Sequence, residues 1–281
     1  MEYKLITVNT ENSIVGEGPM WDARGGRFMS LDIVGKRVYI VAPDGSIENI
    51  DLPQQVGCMA LCENGDMLLA MEDGVYRRTP DGKLTKAHQD IKIKGRRFND
   101  GKIGPDGAFY LGTTDPDWNG AFYRLRDGVL TELFDGCNCS NGIEWTADKT
   151  KMYYIDTPKQ MVEIFDFDEK TGELSNRRNF KDIPKELGKP DGMTLDVGDD
   201  LWVALWDGHK VLHIDKDTKE IVDTIDMPCP KTSCCAFGGK GLDELYITTA
   251  AKEDTAQYPQ AGNTFKVELG IKGKPVYYYK Y

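Results

Sequence analysis

The sequence predicts an all-β protein, a six-bladed β-propeller with four-stranded blades. Six segments with similar beginnings recur at intervals of about 40 to 50 residues, a period that is typical of propeller blades. Short strand-like runs alternate with turn pairs, and no stretch has the pattern of a long amphipathic helix. We therefore expect residues 1–281 to form a single domain.

The six segments share a pattern in which an apolar residue, a turn and a strand-like run follow the first position. They begin at Glu17, Gly57, Asn99, Asn141, Asp191 and Ser233. The clearest strand-like runs are residues 37–40, 67–71, 108–112, 121–125, 151–155, 201–205, 210–214 and 244–248. Asp-Gly and Asn-Gly pairs such as Asn64-Gly65 suit the hairpins between them, because both central residues of the favoured turn have positive φ.

The two ends of the chain predict how the ring closes. Residues 3–8 are strand-like but precede the first segment, and residues 264–269 and 275–281 at the other end are also strand-like. An N-terminal strand that pairs into the last blade would remove the sheet edge that an open ring exposes. We expect the propeller to be closed in this way.

Composition and charge restrict the class of partner. Hydrophobic residues make up 40% of the chain and charged residues 29%, which is typical of a globular protein. The excess of 46 acidic over 35 basic residues gives a formal charge of −11, which disfavours nucleic acid and anionic membranes as partners. The first residues lack a signal-peptide pattern, and no apolar run approaches the length of a membrane span. We expect a cytoplasmic protein with a small-molecule substrate and no obligate protein partner.

The cysteines and histidines give no metal motif. The seven cysteines include no C-x-x-C pair, and buried reduced thiols are the interpretation that we favour. His209 and His213 lie in a strand-like run whose alternation would put both on one face. A packed or solvated strand face is the prediction there, with a metal site as the alternative.

Four of the six segments begin with an oxygen-bearing side chain that can bind a cation. Equivalent positions of propeller blades surround one axis, so Glu17, Asn99, Asn141 and Asp191 should converge although they are distant in sequence. Each Asn-Gly or Asp-Gly pair alone would be interpreted as a turn. Together the four side chains offer two carboxylates and two amides, which suit one divalent cation. Calcium, magnesium, manganese and zinc all remain candidates.

Arg97 lies two residues before Asn99 in an otherwise acidic chain. Strand alternation would direct both side chains to the same side. The guanidinium could then hold a substrate carboxylate, hydroxyl or carbonyl beside the cation. The alternative is a surface arginine that pairs with an acidic neighbour.

Five motifs resemble the senescence marker protein / regucalcin / gluconolactonase family, and the likeness spans essentially the whole chain. They are GEGPMWD at residues 16–22, RFNDGK at 97–102, SNGIEW at 140–145, PDGMTLD at 190–196 and TSCCAFGGKGLDELYITTA at 232–250. The resemblance implies a six-bladed propeller with one divalent metal in its central tunnel. It also implies hydrolysis of a sugar lactone, whereas related propellers hydrolyse other esters or organophosphates.

The resemblance assigns roles to individual residues. Glu17, Asn141 and Asp191 match the metal ligands of the family, and Asn99 matches a fourth ligand or a substrate contact. Arg97 matches a substrate-binding arginine. Asp117, in a loop that is shorter than in the animal members, is the candidate for an acidic substrate contact.

The favoured hypothesis is a metal-dependent lactonase of the gluconolactonase type, with Asp191 as ligand and general base. No G-x-S-x-G motif and no cysteine–histidine pairing is visible, so direct attack by water is favoured over an acyl-enzyme. The alternatives are a calcium- or sugar-binding propeller without turnover and a scaffold that binds protein. Asp191 and Arg97 favour the enzyme, because a passive cation site needs neither a base nor a neighbouring guanidinium.

Overall fold

The computed structural model describes residues 3–252 and 256–281, and the strands within them form six four-stranded antiparallel sheets. The first strand, β1 (Ile6–Asn9), belongs to the last sheet. Blade 1 contains β2 (Gly16–Asp22), β3 (Arg27–Asp32), β4 (Arg37–Val41) and β5 (Ile47–Asp51). Blade 2 contains β6 (Val56–Leu61), β7 (Met67–Met71), β8 (Val75–Arg78) and β9 (Leu84–Lys86). Blade 3 contains β10 (Arg97–Ile103), β11 (Phe109–Thr114), β12 (Gly120–Arg126) and β13 (Val129–Cys137).

The remaining blades follow the same order. Blade 4 contains β14 (Ser140–Trp145), β15 (Lys151–Asp156), β16 (Met161–Asp168) and β17 (Glu173–Asp182). Blade 5 contains β18 (Lys189–Leu195), β19 (Leu201–Trp206), β20 (Lys210–Ile214) and β21 (Ile221–Asp226). Blade 6 contains β22 (Thr232–Gly238), β23 (Glu244–Thr249), β24 (Thr264–Glu268) and β1. Two 3-10 turns span Thr157–Lys159 and Lys185–Leu187, and no helix within the described ranges is long and apolar enough to cross a membrane.

The predicted closure by the N-terminal strand is confirmed. β1 pairs antiparallel with β24, with Ile6 opposite Lys266 and Thr7 opposite Phe265. Blade 6 therefore takes three strands from the end of the chain and one from the beginning. This pairing covers the edge of β24, which would otherwise present unpaired backbone groups to solvent. The six-bladed, four-stranded fold follows the sequence prediction.

Each sheet packs between two others, so its middle strands are apolar on both faces. β7 reads MLLAM and β19 reads LWVALW. Successive strand residues point to opposite faces, yet Leu68 and Leu69 both have an exposed fraction of 0%. Near-continuous apolar strands are the expected result of burial on both sides.

The innermost strand of every blade has an irregularity in its pairing near its first residues. The irregularities lie between Glu17 and Met20, Val56 and Cys58, Phe98 and Gly101, Asn141 and Ile143, Pro190 and Met193, and Thr232 and Cys234. An extra residue in one strand bends the backbone and changes the direction of a side chain. The six irregularities coincide with the six segment starts in the sequence, so they lie where the chain places its candidate ligands.

The C-terminal tail, residues 270–281, differs from the prediction of a strand over residues 275–281. It pairs only at isolated bridges, Asp196 with Gly273 and Cys62 with Tyr279. The tail crosses the ends of several blades instead of following one strand, and the amide of Lys280 donates to the carbonyl of Gly107 at 3.1 Å. It covers a central cavity of about 70 Å³ between itself and the inner strands. The axis is therefore closed at this end.

Candidate functional site

The inner strands bring Glu17, Asn99, Asn141 and Asp191 close to the axis. Their exposed fractions are 7%, 7%, 4% and 5%, respectively. The Asn99 amide donates to the side-chain oxygen of Asn141 at 2.6 Å, which links blades 3 and 4. The charge of Glu17 raises the pKa of Asp191, so these two carboxyl groups also lie near each other. The structure thus brings together the four side chains that the sequence analysis selected.

Glycines beside these positions allow neighbouring inner strands to approach closely. A Cβ atom on Gly57 would lie 2.2 Å from the carbonyl oxygen of Phe98, and one on Gly192 would lie 2.2 Å from the Cys234 sulfur. A Cβ atom on Gly142 would lie 2.8 Å from the carbonyl oxygen of Asp191. Gly57, Gly142 and Gly192 all lie within strands. The Asn-Gly and Asp-Gly pairs here therefore serve close packing and are not hairpin turns.

A chain of hydrogen bonds fixes the two amide side chains. Arg97 Nη1 donates to Asn99 Oδ1 at 2.6 Å, and the Asn141 amide donates to Thr157 Oγ1 at 2.7 Å. The Thr157 hydroxyl donates in turn to the carbonyl of Pro190 at 2.8 Å. Each amide oxygen accepts one hydrogen bond, Asn99 Oδ1 from Arg97 and Asn141 Oδ1 from Asn99, so each keeps one lone pair for a further partner.

The carboxylates of this site are buried together without an ion pair. Burial, and then the charge of Asp100, raise the pKa of Glu17, whereas Arg97 lowers it. Burial, followed by the charges of Glu17 and Asp100, raises the pKa of Asp191 well above its usual range. Among the described residues, Glu17, Asp100 and Asp191 take part in none of the salt bridges. Like charges so placed need a cation or protons for neutrality.

The donor set fits a hard divalent cation. Glu17 and Asp191 supply two negative charges, and the amide oxygens of Asn141 and Asn99 supply neutral oxygen ligands. Thr157 orients Asn141 from behind, as the neighbours of metal ligands commonly do. The oxygen of Asn99 already accepts from Arg97, so Asn99 connects the candidate cation site to the candidate substrate site.

A lysine ammonium group occupies the part of the axis that the tail covers. Lys102 Nζ lies 2.9 Å from Glu144 Oε2 and donates to the carbonyl of Met193 at 3.3 Å. Against the effect of burial, Glu144 raises the pKa of Lys102 above its usual range, so the ammonium stays charged. Asp100 and Lys102 both line the cavity beneath the tail. Lys102 thus balances the charge of Glu144 at this end, whereas Glu17 and Asp191 form no salt bridge among the described residues.

The predicted substrate contacts occupy different surroundings. Arg97 is partly buried and touches Asn99, as strand alternation predicts. Asp117 lies in an exposed loop, where its carboxylate is 3.9 Å from Arg96 Nη2 and its side chain is 77% exposed. The structure therefore joins Arg97 to the axial residues and leaves Asp117 at the surface beside Arg96. A substrate role of Asp117 stays a prediction.

Sequence reasoning did not identify four residues of this region: Asp100, Lys102, Glu144 and Thr157. The first three lie inside the motifs RFNDGK and SNGIEW, so charged residues within inner strands were the available signal. Thr157 follows β15 and shares no motif with the other blades. No local pattern distinguishes it from an ordinary loop threonine.

Comparison with known proteins identifies a family and close structural relatives. The family model described as SMP-30/Gluconolactonase/LRE-like region matches residues 15–251. The putative sugar lactone lactonase YvrE of Bacillus subtilis is 36% identical over 272 residues, with 93% of both chains covered. Regucalcin of Danio rerio is 37% identical over 294 residues, with 98% of both chains covered.

A solved structure has the same architecture over its full length. It is regucalcin from Agrobacterium tumefaciens, described as a calcium-binding protein. Its TM-score is 0.93 at 25% sequence identity, with 100% of this chain and 99% of that chain covered. Its blades therefore superpose on those of this chain along the whole sequence.

Replacement of Gly57 should disturb the axis more than an ordinary glycine replacement. Gly57→Ala places a methyl group against the backbone of β10, so the free energy of unfolding should fall by about 2 kcal/mol or more. Calcium binding, measured by titration calorimetry, should weaken as well because Asn99 is displaced. Gly65→Ala is the control for calcium binding: its φ of +91° strains an alanine, but the space around its Cβ position is open, so it should lose stability and keep calcium binding. Full stability and unchanged calcium binding of Gly57→Ala would contradict the packing argument.

Proposed function

The chain belongs to the SMP-30/gluconolactonase/LRE-like family, and we propose that it is a divalent-cation-dependent hydrolase that opens the ester ring of a sugar lactone. The observation that carries this proposal is the pair of buried carboxylates, Glu17 and Asp191, beside the guanidinium of Arg97. The likeness to a relative named as a putative sugar lactone lactonase supports the same activity. The physiological lactone is a small molecule that enters at the end of the axis away from the tail.

In this proposal Glu17, Asn141 and Asp191 hold the cation, with Asn99 as the fourth ligand or as a substrate contact. A bound divalent cation would stabilise the negative charge that develops on the carbonyl oxygen of the lactone. Calcium, magnesium, manganese and zinc each suit an oxygen ligand set. The hydrogen bond from Asn141 to Thr157 keeps the amide oxygen directed towards the site.

Asp191 is the proposed general base. Its carboxylate takes a proton from water as the water oxygen bonds to the carbonyl carbon. The ester bond to the ring oxygen then breaks, and the proton passes from Asp191 to that oxygen. That transfer returns Asp191 to its ionised form. The product is an open-chain hydroxy acid, whose new carboxyl group loses its own proton to solvent.

Arg97 is the proposed substrate clamp. Its Nη1 already donates to Asn99 and to the carbonyl of Phe98, which fixes the plane of the guanidinium. The remaining N–H groups can donate to a hydroxyl or carbonyl of the sugar, and a planar fork holds such oxygens in a defined orientation. Asp117 remains the candidate for a second, acidic substrate contact across the loop of residues 115–118.

A calcium-binding protein without turnover is the second candidate function. The description of the Agrobacterium tumefaciens relative as calcium-binding favours it. A passive calcium site gives no reason for a partly buried arginine directly beside the ligands, which is why we favour the lactonase. Hydrolysis of another ester or of an organophosphate would use the same groups. Assays with substrates of each class distinguish these activities from lactone hydrolysis.

The test of this function uses a panel of aldonolactones with metal-stripped protein and with each cation added back. Hydrolysis should require one divalent cation per chain, and Asp191→Asn loaded with metal should turn over about 10² to 10⁴ times more slowly, because amides are not bases at neutral pH. Rates are measured at saturating metal, with metal content verified by elemental analysis. The control is Asp51→Asn, an exposed carboxylate at the end of β5 that is paired with Arg37.

Three outcomes would contradict the proposal or a part of it. Full hydrolysis by verified metal-free protein would exclude a metal-dependent reaction. A metal-loaded Asp191→Asn variant with the original kcat would leave Asp191 as a ligand only. Binding of calcium with no hydrolysis of any lactone or other ester in the panel would support the second candidate function.

Arg97→Ala should raise KM by about tenfold or more, because a charge-assisted hydrogen bond to substrate is lost. Bound metal, measured by elemental analysis, should stay the same. Arg37→Ala is the control, since Arg37 lies in β4 and pairs with the exposed Asp51. An equal KM for Arg97→Ala and the unchanged protein across all accepted substrates would remove Arg97 from the substrate site.

A further inference from the structure

Blade 5 contains a second group of metal-ligand side chains, at the end of β18 that lies away from Asp191. Asp196 follows β18 directly, and Asp200 precedes β19. Asp191 and Asp196 are five strand residues apart, which corresponds to about 16 Å at the usual rise. The group formed by Asp196, Asp200 and His213 is therefore separate from the axial residues.

The three side chains face one point. His213 Nε2 is 3.4 Å from Asp200 Oδ2 and 3.9 Å from Asp196 Oδ2. One ligand atom from each residue lies within 4.8 Å of the other two. Their side chains are 5% exposed for Asp196, 12% for His213 and 26% for Asp200. The point is thus enclosed by protein but open to solvent on the side of Asp200.

Contacts outside the group hold these side chains in place. The His213 ring stacks on Trp202 with a centroid distance of 4.1 Å and an interplanar angle of 12°. Asp196 Oδ1 accepts from the amides of Gly198 and Asp200, and Asp196 Oδ2 accepts from the indole N–H of Trp202. These contacts fix the geometry before any ion binds, as outer neighbours of metal ligands do.

The Nε2 atom of His213 is buried and makes no hydrogen bond within the described residues. A hydrogen bond requires the acceptor to lie in line with the N–H bond. In a metal site the ion itself lies along the lone pair of the nitrogen. The other ligand atoms surround the ion and therefore lie off that line. Tetrahedral zinc bonds of about 2.0 to 2.2 Å separate neighbouring ligand atoms by roughly 3.3 to 3.6 Å. The separation of 3.4 Å between Nε2 and Asp200 Oδ2 has this magnitude without the alignment of a hydrogen bond, and the separation of 3.9 Å between Nε2 and Asp196 Oδ2 is slightly longer.

In two other blades an arginine joins the turn between the first and second strands to the third strand. In blade 2, Arg77 forms a salt bridge with the buried carboxylate of Asp66, and in blade 3, Arg126 does so with Asp106. These arginines come from the third strand of their blade, and each aspartate lies in the turn between the first and second strands. A guanidinium thus ties the turn to the third strand in each case.

Blade 5 has an imidazole at the position of the arginine of blade 2. Arg77 pairs with Leu68, the second residue of β7, and His213 pairs with Trp202, the second residue of β19. An imidazole is not permanently charged, whereas a guanidinium is. In blade 5, Asp196 and Asp200 therefore lie beside an imidazole, which can bind a metal ion. In blade 2, the carboxylate of Asp66 lies beside a guanidinium, which is always charged.

We propose that Asp196, Asp200 and His213 bind a first-row divalent transition cation such as zinc, with water as the fourth ligand. The ion takes the structural place of the arginines in blades 2 and 3, because it ties the turn of residues 196–200 to β20. The ligand set of one imidazole and two carboxylates suits zinc better than calcium, which prefers oxygen ligands alone.

Zinc counting by equilibrium dialysis and elemental analysis tests this site on the complete chain. The unchanged protein should bind one zinc ion more per chain than His213→Gln. Asp200→Asn, a change at the most exposed ligand, should lose the same ion. Because this change is near the surface, it shows that the loss does not come from a folding defect of His213→Gln. His209→Gln is the imidazole control, since His209 contacts the Tyr258 ring and lies outside the group. It should keep the ion.

Cobalt gives a second readout, because a tetrahedral cobalt complex absorbs visible light. The unchanged protein and His209→Gln should show this absorption, and His213→Gln and Asp200→Asn should lose it. Equal zinc counts in all four proteins would overturn the proposal. Glu17→Gln should remove the ion of the axial site and keep the ion of blade 5. Failure of the axial site and failure of this site are therefore distinguishable.

Discussion

The close approach of the six inner strands around one axis is the constraint on which the rest of the structure depends. Gly57 and Gly192 have no room for a Cβ atom because the next blade's backbone or side chain already lies there. The bulges at the same level re-aim the neighbouring residues. Side chains that are distant in sequence therefore share a space of a few ångströms, and their charges must be balanced within it.

A side chain balances charge at one end of the axis, and in the proposed function an exchangeable cation does so at the other end. Beneath the C-terminal tail, Lys102 forms a permanent ion pair with Glu144. At the other end, Glu17 and Asp191 have no salt-bridge partner among the described residues, and burial raises the pKa of both. A side-chain cation gives stability without exchange, whereas an exchangeable ion leaves coordination positions for a ligand. In this account one end of the axis is held by a permanent ion pair, and the other end holds an ion that a substrate can reach.

The sequence predicts the blades and the axial residues well because both repeat. The recurrence of similar segments locates the inner strands, and equivalent positions such as Asn99 and Asn141 must then meet. A single Asn-Gly pair in an inner strand has the same sequence as one in a hairpin turn. Only the spacing between segments distinguishes the two positions. The N-terminal closure follows from the need to cover a sheet edge.

Features that do not repeat could not be predicted from the sequence. Thr157 reaches Asn141 from a loop with no counterpart in the other blades. The tail looked like a strand over residues 275–281, but it finds only isolated bridges because it crosses strand ends. His209 lies in a turn with φ of 56°, so it does not share a strand face with His213. Only the family resemblance indicates Asp117, and a loop carries no periodicity that fixes the direction of a side chain.

The central claim is that a divalent cation lies between the carboxylates of Glu17 and Asp191. The most direct measurement is a crystal structure of calcium- or manganese-loaded protein with anomalous scattering data at the metal. The account predicts one anomalous peak within about 2.0 to 2.6 Å of oxygens from Glu17, Asn141 and Asp191. Density for water alone between these side chains at saturating metal would contradict it.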